Sequence, residues 1–295
     1  MPDFWTHILA GEHMVKAGTN KDMINIMEEN RTSFNFGCQG SDVFFYNIST
    51  PWRGPALGKK MHYDSVNEAF FHAVSYGKKN YCPRALSFLM GYLSHIVTDR
   101  YLHPFILARS PNFTIHKEIE NELDSFLLEH FRGEKARNIN PFFKVDFSGD
   151  VKQSGNIPHE INGFFESHLH EIYDYSEGLK TLRISYRDFK YLQSTLYSPG
   201  PVKRTALRAA NAVIPYDIDT LLYEAGNEIL WPEERSRFLY VYRAAKERGA
   251  DILSDVFLYW QNEIDMITFK NRLEGEDFSG ADKEEILSTL PESAM

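Results

Sequence analysis

Three side chains with metal-binding groups recur at four-residue intervals in the segment SHIVTDRYLHPF, residues 94–105. They are His95, Asp99 and His103, and most of the residues between them are apolar. Residues four apart lie one above another on an α-helix, so the spacing predicts a helix with one polar stripe. Such a stripe constrains the fold, because inside an apolar segment it must face a polar site enclosed by other elements.

Helical periodicity also dominates the rest of the chain, and no segment shows the alternation typical of β-strands. The sequence therefore predicts an all-α fold, a multi-helix bundle. Glycines and prolines interrupt residues 32–61 and predict a long loop there, and loops of that length are usually functional. The predicted helices cover approximately residues 4–17, 21–31, 63–79, 83–102, 114–131, 159–175, 179–196, 202–212, 216–228 and 233–270, the last as one helix or two.

Charge and composition suggest three regions along the chain. The formal net charge of −9 disfavours a stable complex with nucleic acid, which requires a basic surface. Residues 274–295 hold seven acidic residues and one lysine, so we expect a weakly ordered acidic tail at 273–295. We assign residues 1–175 to a metal-binding catalytic core and 176–272 to a helical extension packed on it, for which the sequence offers no chemical signature.

The N-terminal residues MPDFWTHILAGEHM lack the basic segment and apolar run of a secretory signal. No apolar run approaches the length of a transmembrane span. The two cysteines, Cys38 and Cys82, form no metal or redox motif, and we expect free thiols in a reducing compartment. These features predict a cytoplasmic protein.

The polar stripe is too long for one metal ion. Its ends, His95 and His103, lie about 12 Å apart along a helix, whereas zinc–ligand bonds are about 2 Å long. If all three side chains are ligands, the stripe serves at least two ions, and Asp99 lies between them in a position to bridge.

The following helix carries a second pair of candidate ligands, His116 and Glu120, again four residues apart. In an antiparallel hairpin this pair meets His103 near the connecting turn. Three ligands with an open position suit catalytic zinc. The alternative is that such pairs are ordinary helix ion pairs. Earlier segments add the candidates His7, Asp42 and His62.

The order of these motifs resembles the zinc-dependent phospholipase C family, which belongs to a helical superfamily with single-strand-specific nucleases. The resemblance covers about residues 3–125. Its motifs are PDFWTH, the GSD loop followed by aromatic residues, the MH histidine, HxxxDxxxH and HxxxE. It implies an all-α fold with a metal cluster in a cleft, three zinc ions and hydrolysis of phosphate diesters.

The resemblance also implies a division of the ligands into three zinc sites that share Asp99. The implied sites are His62, His95 and Asp99 for one ion, His103, His116 and Glu120 for the second, and His7 with Asp99 for the third. Asp42 matches a loop aspartate that the family uses as a ligand or general base.

One departure from the family concerns the third zinc site. Secreted members are processed so that an N-terminal tryptophan ligates zinc through its main-chain amine and carbonyl. In this chain Trp5 lies inside the sequence, and we hypothesise that Asp3 substitutes, because it precedes His7 by four residues. The alternative is that Asp3 is a first-turn acid favoured by the helix dipole.

The mechanism expected for such a site is in-line attack of metal-bound hydroxide on phosphorus, with Asp42 and Asp99 as catalytic residues. Arg53, Lys59 and Lys60 are candidates for binding a distal phosphate or headgroup, although a solvated loop would explain them equally well.

Phospholipids and nucleotides both fit a zinc phosphodiesterase, so the substrate stays open. The leading prediction is a phospholipase C-like hydrolase that allows peripheral membrane contact. The alternatives are a nuclease-like or nucleotide phosphodiesterase, and a zinc-binding scaffold without turnover. A phosphohydrolase of the HD type is excluded, because the chain contains no His-Asp dipeptide.

Overall fold

The computed structural model describes residues 4–149, 156–210, 218–223 and 229–278. Within these ranges the regular structure is entirely helical, with no β-strand, and the all-α prediction is confirmed. The α-helices are α1 Phe4–Ala17, α2 Lys21–Glu29, α3 Arg31–Gln39, α4 Gly54–Tyr63, α5 Val66–Lys79, α6 Pro83–Leu107, α7 Phe113–Arg132, α8 His159–Glu171, α9 Gly178–Leu196, α10 Pro201–Ala210, α11 Pro232–Trp260 and α12 Met266–Arg272. Short 3₁₀ segments cover Gly40–Tyr46, Ala136–Asn138, Pro141–Lys144, Phe147–Gly149 and Asp219–Leu221.

Several helices begin where the local sequence supplies a cap. The side chain of Asn112 accepts a hydrogen bond from the Ile115 amide at the start of α7, and Asn20 does the same for α2. Side-chain oxygens at this position satisfy amides that have no partner inside the helix. Pro83 and Pro232 occupy first helical positions, where proline costs no hydrogen bond.

Helix α6 lies at the centre of the molecule and is buried along most of its length. It packs closely against α3, where Gly37 and Gly91 lie between the two helices. A Cβ on Gly91 would collide with the carbonyl oxygen of Phe34, and one on Gly37 would collide with that of Phe88. The absence of side chains at both positions therefore brings α3, and the 3₁₀ segment after it, against the polar stripe of α6.

The interpretation of residues 32–61 as a long loop is wrong. Helix α3 runs through Gly37, the 3₁₀ segment Gly40–Tyr46 follows it directly, and α4 begins at Gly54. Gly37 serves close helix packing, and Pro55 lies in the first turn of α4, where proline is tolerated. Gly37 is compatible with a helix here because of the residues that surround it in the fold, and the local sequence does not reveal those contacts.

The C-terminal half joins the same hydrophobic core as the N-terminal half. Helix α11 packs on α1 and α6 through buried residues such as Phe238, Tyr242 and Phe257. The region 233–270 contains two helices, α11 and α12. Of the predicted helix 216–228, only residues 218–223 are described, and they contain a 3₁₀ turn. The boundary between core and extension at residue 175 stays a prediction.

The described beginning of the acidic tail is packed against α5. Phe278 stacks on Phe70 with ring centroids 4.0 Å apart, and its amide donates to the Asn67 side chain at 2.8 Å. The remainder of the predicted tail, residues 279–295, lies outside the described residues, as does Asp3.

Candidate metal centre

Four elements meet at one group of histidines and aspartates. His7 comes from α1, Asp42 from the 3₁₀ segment after α3, His62 from α4, and His95 with Asp99 from α6. All except His62 and Asp99 are almost completely buried. We call these five residues the first cluster.

The close approach of these elements depends on a glycine beside the cluster. Gly40 has φ of 49°, a conformation that side chains rarely adopt, and a Cβ there would collide with the His95 ring. Glycine at this position therefore lets the chain turn from α3 toward Asp42 directly over the imidazole.

Carboxylates link the imidazoles of the first cluster. The Nε2 atoms of His7 and His95 each lie 3.4 Å from an oxygen of Asp99. His62 Nε2 lies 2.9 Å from Asp42 Oδ1 and 3.4 Å from Asp99 Oδ2. Ligand atoms fall within 4.8 Å of one another in two overlapping sets, His7 with Asp42 and His95, and His62 with His95 and Asp99. This spacing suits ions that share ligands.

The second cluster consists of His103, His116 and Glu120, on α6 and α7. His103 Nε2 lies 3.4 Å from His116 Nε2, which is 2.8 Å from Glu120 Oε1. Their ligand atoms also lie within 4.8 Å of one another. The stripe on α6 is thus divided: His95 and Asp99 join the first cluster, and His103 joins the second.

Several imidazoles are oriented by hydrogen bonds on the ring nitrogen that points away from the clusters. His62 Nδ1 donates to the Gly58 carbonyl at 2.7 Å, and His95 Nδ1 donates to that of Cys38 at 3.2 Å. His116 Nδ1 lies 3.0 Å from the Ser110 hydroxyl. Such bonds are typical of metal-binding histidines, because they fix the tautomer that leaves Nε2 available.

Burial and charge act differently on the histidines. Burial lowers the pKa of His95 and of His103 to about 4, so both rings are neutral near neutral pH. Burial also opposes protonation of His62, but its hydrogen bond to Asp42 and the charge of Asp99 raise its pKa to about 9. Although burial raises the pKa of Asp99, the neighbouring histidines lower it below its usual range. The aspartate is therefore ionised inside the protein.

The donor set fits zinc. Imidazole nitrogens and carboxylate oxygens are normal zinc ligands, and a divalent cation compensates the two buried carboxylates of the first cluster. Asp42 Oδ2 and His7 Nδ1 are buried and have no hydrogen-bond partner among the described residues. Buried polar atoms in this state are uncommon unless an ion or water satisfies them.

Comparison with known families agrees with this geometry. The model of the family described as zinc dependent phospholipase C matches residues 6–175, more than half of the 295 residues. The chain belongs to the zinc-dependent phospholipase C family. No curated protein and no solved structure matched the chain. The family membership supports zinc as the cofactor and hydrolysis as the type of activity.

In this phospholipase C family member, an open cleft of about 730 Å³ adjoins both clusters. His62 comes from the first cluster, and His103 and His116 come from the second. The rest of the lining is largely apolar and includes Phe45, Pro55, Ala56, Tyr63, Leu107 and Phe113. The cleft thus places an apolar wall beside the candidate zinc ligands.

The basic residues proposed for substrate binding occupy different places. Lys59 lines the cleft. Arg53 forms an ion pair with Glu177, and Lys60 donates to the Tyr173 carbonyl at 2.8 Å. Of the three, Lys59 has the position that suits an anionic group in the cleft.

Two polar residues near the clusters were not predicted from the sequence. The Ser41 hydroxyl lies 3.2 Å from His62 Nε2 and 3.4 Å from His95 Nε2. Asp124 lies four residues after Glu120 and is completely buried. Its spacing continues the HxxxE pattern as HxxxExxxD, a signal that the sequence does contain.

No helix in the described residues of this family member combines the length and apolar character required to cross a bilayer.

Proposed function

We propose that the chain cleaves the phosphodiester of a phospholipid on its glycerol side, releasing diacylglycerol and a phosphorylated headgroup. The observation that carries this proposal is the cleft, in which candidate zinc ligands lie beside an apolar wall. A phospholipid presents the same combination, an anionic phosphodiester next to a diacyl portion. A nucleotide would offer no long apolar group to Leu107 and Phe113.

In this proposal the histidines of the two clusters, together with Asp99 and Glu120, would hold zinc, with Asp99 contributing to more than one site, and Asp42 would serve as ligand or general base. When bound, zinc supplies Lewis-acid chemistry: it neutralises phosphate oxygens and makes water acidic enough to ionise near neutral pH. Three ions per chain would use the ligand sets that the family resemblance implies. Asp3 stays a hypothesis for the third site.

Asp42 is our candidate for holding the attacking water. It is 2% exposed, and its Oδ1 atom lies 2.9 Å from His62 Nε2. Asp42 Oδ2 has no hydrogen-bond partner among the described residues, and a carboxylate oxygen in this state can orient a water molecule and accept its proton. The new P–O bond then forms as the bond to the glycerol oxygen breaks, and that oxygen takes up a proton. Lys59 binds the headgroup side of the phosphodiester.

The mouth of the cleft suits contact with aggregated lipid. Phe113 is 70% exposed, Tyr63 is 51% exposed and Leu107 is 37% exposed, and all three line the cleft. Large apolar side chains that surround a binding cleft often mark a contact surface. We infer that they enter the lipid surface while the headgroup reaches the zinc centre.

The experiment is a substrate panel on the zinc-loaded protein, with phosphatidylcholine, single-stranded DNA and dinucleotides. We expect hydrolysis of the phospholipid that chelator abolishes and added zinc restores. In Asp99→Asn the activity should fall by at least about 100-fold, because the shared ligand loses its charge. Preference for dinucleotides would favour the nucleotide phosphodiesterase, and zinc binding without turnover of any substrate would favour the scaffold.

A further inference from the structure

The first amides of α1 are capped by a carboxylate from another helix. Trp5 N donates to Asp124 Oδ2 at 2.8 Å, and Thr6 N donates to Asp124 Oδ1 at 2.6 Å. The amides at a helix start have no acceptor inside their own helix, and the helix dipole favours a negative charge there. Both oxygens of Asp124 therefore hold the backbone directly before His7.

Asp124 belongs to the same helix face as the ligands of the second cluster. On α7 it follows Glu120 by four residues and His116 by eight. Residues at these intervals share one face of a helix. The hydrogen bonds of Asp124 consequently fix α1, which carries His7, relative to the α7 face that carries the second cluster.

His7 lacks a hydrogen bond that His62, His95 and His116 have. Its Nδ1 atom has no hydrogen-bond partner among the described residues, whereas the Nδ1 atoms of His62, His95 and His116 have one. Histidine ligands are normally oriented by a bond to the second ring nitrogen. For His7 the capped start of α1 takes over that role.

A third hydrogen bond to Asp124 comes from the C-terminal half. The Tyr223 hydroxyl donates to Asp124 Oδ2 at 2.9 Å. The same segment is held to α7 where the Asn121 side chain donates to the Thr220 carbonyl. Tyr223 lies beyond the residues that the family model matches.

Burial makes the negative charge of Asp124 energetically costly in the folded protein. Burial raises its pKa to about 6, although hydrogen bonds from Trp5, Thr6 and Tyr223 favour the charged form. An acid whose pKa is raised in the folded protein stabilises the fold less as the pH rises through that pKa. Near neutral pH the ionised carboxylate is thus a costly way to cap a helix.

We propose that Asp124 is a positioning residue of the zinc centre, which holds His7 in place through the start of α1 and is itself held by Tyr223. The inference rests on the proposed function, because it requires the first cluster to bind zinc. Asp124 acts on the reaction through His7 and contacts neither zinc nor substrate.

The test compares zinc content and zinc affinity in Asp124→Asn and in Glu122→Gln, the matched control on the same helix. Asparagine keeps one side-chain oxygen that can accept a hydrogen bond from α1. Its NH2 group replaces the other oxygen and cannot accept a bond from the remaining amide. We expect zinc affinity at the His7 site to fall about 10- to 100-fold. The Glu122 side chain is 7% exposed and also accepts backbone hydrogen bonds, but from Ile229 and Leu230 and not from the start of α1. Its variant should keep all zinc, even if its thermal midpoint falls.

His7→Ala identifies which ion is lost. If Asp124 acts through His7, the double variant with Asp124→Asn binds no less zinc than His7→Ala alone. A wild-type zinc count and affinity in Asp124→Asn would overturn the proposal, as would equal zinc loss in Glu122→Gln. A wild-type protein that binds no zinc would instead refute the proposed function, and this inference with it.

Tyr223→Phe keeps the proposal testable if Asp124→Asn does not fold. It removes one hydrogen bond to the carboxylate and leaves both amide bonds in place. Zinc release to a chelator should become about fivefold faster, the effect of roughly 1 kcal/mol. Tyr175→Phe, which removes a hydroxyl paired with Thr181 at 3.2 Å, is the matched control. Unchanged release in Tyr223→Phe would contradict the role of Asp124.

Discussion

At the residue scale, a second buried histidine network lies apart from the zinc clusters. His168 is completely buried, with Nε2 at 2.8 Å from the Tyr92 hydroxyl and Nδ1 at 3.0 Å from His72 Nδ1. His72 Nε2 in turn lies 3.0 Å from the Ser167 hydroxyl and 3.7 Å from a Glu171 oxygen. The contact between the two Nδ1 atoms requires at least one neutral ring, because one of the two nitrogens must accept the hydrogen bond.

This network predicts a loss of stability in acid. Burial lowers the pKa of His168 well below 6.5 and also lowers that of His72. The unfolded chain therefore binds protons that the folded protein does not, and the free energy of unfolding decreases as the pH falls below about 6.5. We expect His168→Gln to show a smaller decrease between pH 7 and pH 5 in urea unfolding than the wild type.

His170→Gln is the matched control for that experiment, because His170 lies on the same helix and is exposed. Zinc release in acid affects all three proteins alike, so the difference between them isolates His168. An identical decrease in His168→Gln and wild type would contradict the argument.

Sequence reasoning recognised candidate ligands but not what surrounds them. His95, Asp99 and His103 followed from helical spacing, whereas His7 and His62 gained meaning only through resemblance to a family. Ser41 was missed because its contacts join segments distant in sequence, whereas Asp124 was missed although it continues the four-residue spacing of His116 and Glu120.

At the element scale, the packing of α3 on α6 places Asp42 against the stripe. Gly91 lies where the Phe34 carbonyl and the Cys38 amide approach α6, and backbone atoms cannot move aside as a flexible side chain can. Gly91→Ala should therefore lower the free energy of unfolding by about 1–3 kcal/mol and weaken zinc binding. Denaturant unfolding and zinc titration measure the two effects.

Gly149→Ala is the control for this substitution, because nothing lies within 4 Å of a Cβ at that position. It should change the free energy of unfolding by no more than about 0.5 kcal/mol. Equal stability of Gly91→Ala and the wild type would show that the two helices can separate at little cost.

Sequence patterns predicted the long helices better than the short ones. Helices α1, α7 and α9 were predicted within one residue at each end, and α6 was predicted with the correct start but an end five residues too early. Residues 32–61 were misread, because glycine breaks an isolated helix but permits close packing of helices in a core. Which of these two effects a glycine has here depends on Phe34 and Phe88, whose backbone contacts across the helix pair join positions that are distant in the sequence.

At the scale of the whole molecule, the proposed function makes the cleft mouth the surface through which a lipid reaches the two clusters. Phe113 lies at the start of α7 beside the second cluster and is 70% exposed. Phe113→Ser should lower hydrolysis of phosphatidylcholine vesicles about tenfold, since one phenylalanine contributes about 1.5–3 kcal/mol when buried. Hydrolysis of a short-chain phospholipid below its micellar concentration should change by less than about threefold.

Phe143→Ser provides a control of equal exposure, because Phe143 is also 70% exposed and does not line the cleft. It should leave vesicle hydrolysis unchanged. Equal losses in both variants, or an equal loss of Phe113→Ser on vesicles and monomers, would argue against a lipid contact at the cleft mouth.

The packing of the whole molecule was the feature hardest to predict from the sequence. Helix α11 joins the core through α1 and α6, and Tyr223 reaches the carboxylate that caps α1. These contacts connect residues separated by about a hundred positions or more, and no motif in the C-terminal half signals them. The role proposed for Tyr223 therefore rests on its contact with Asp124 alone.

The zinc content of protein purified without chelator or a metal-binding tag tests the central claim most directly. The account predicts three zinc ions per wild-type chain and fewer in Asp99→Asn, whose shared ligand is altered. Asp188→Asn, which changes a buried carboxylate that accepts the Ser49 amide at 2.7 Å, should keep the wild-type number. A wild-type chain without stoichiometric zinc, or an Asp99→Asn variant with undiminished zinc, would contradict the assignment of these clusters as a zinc centre.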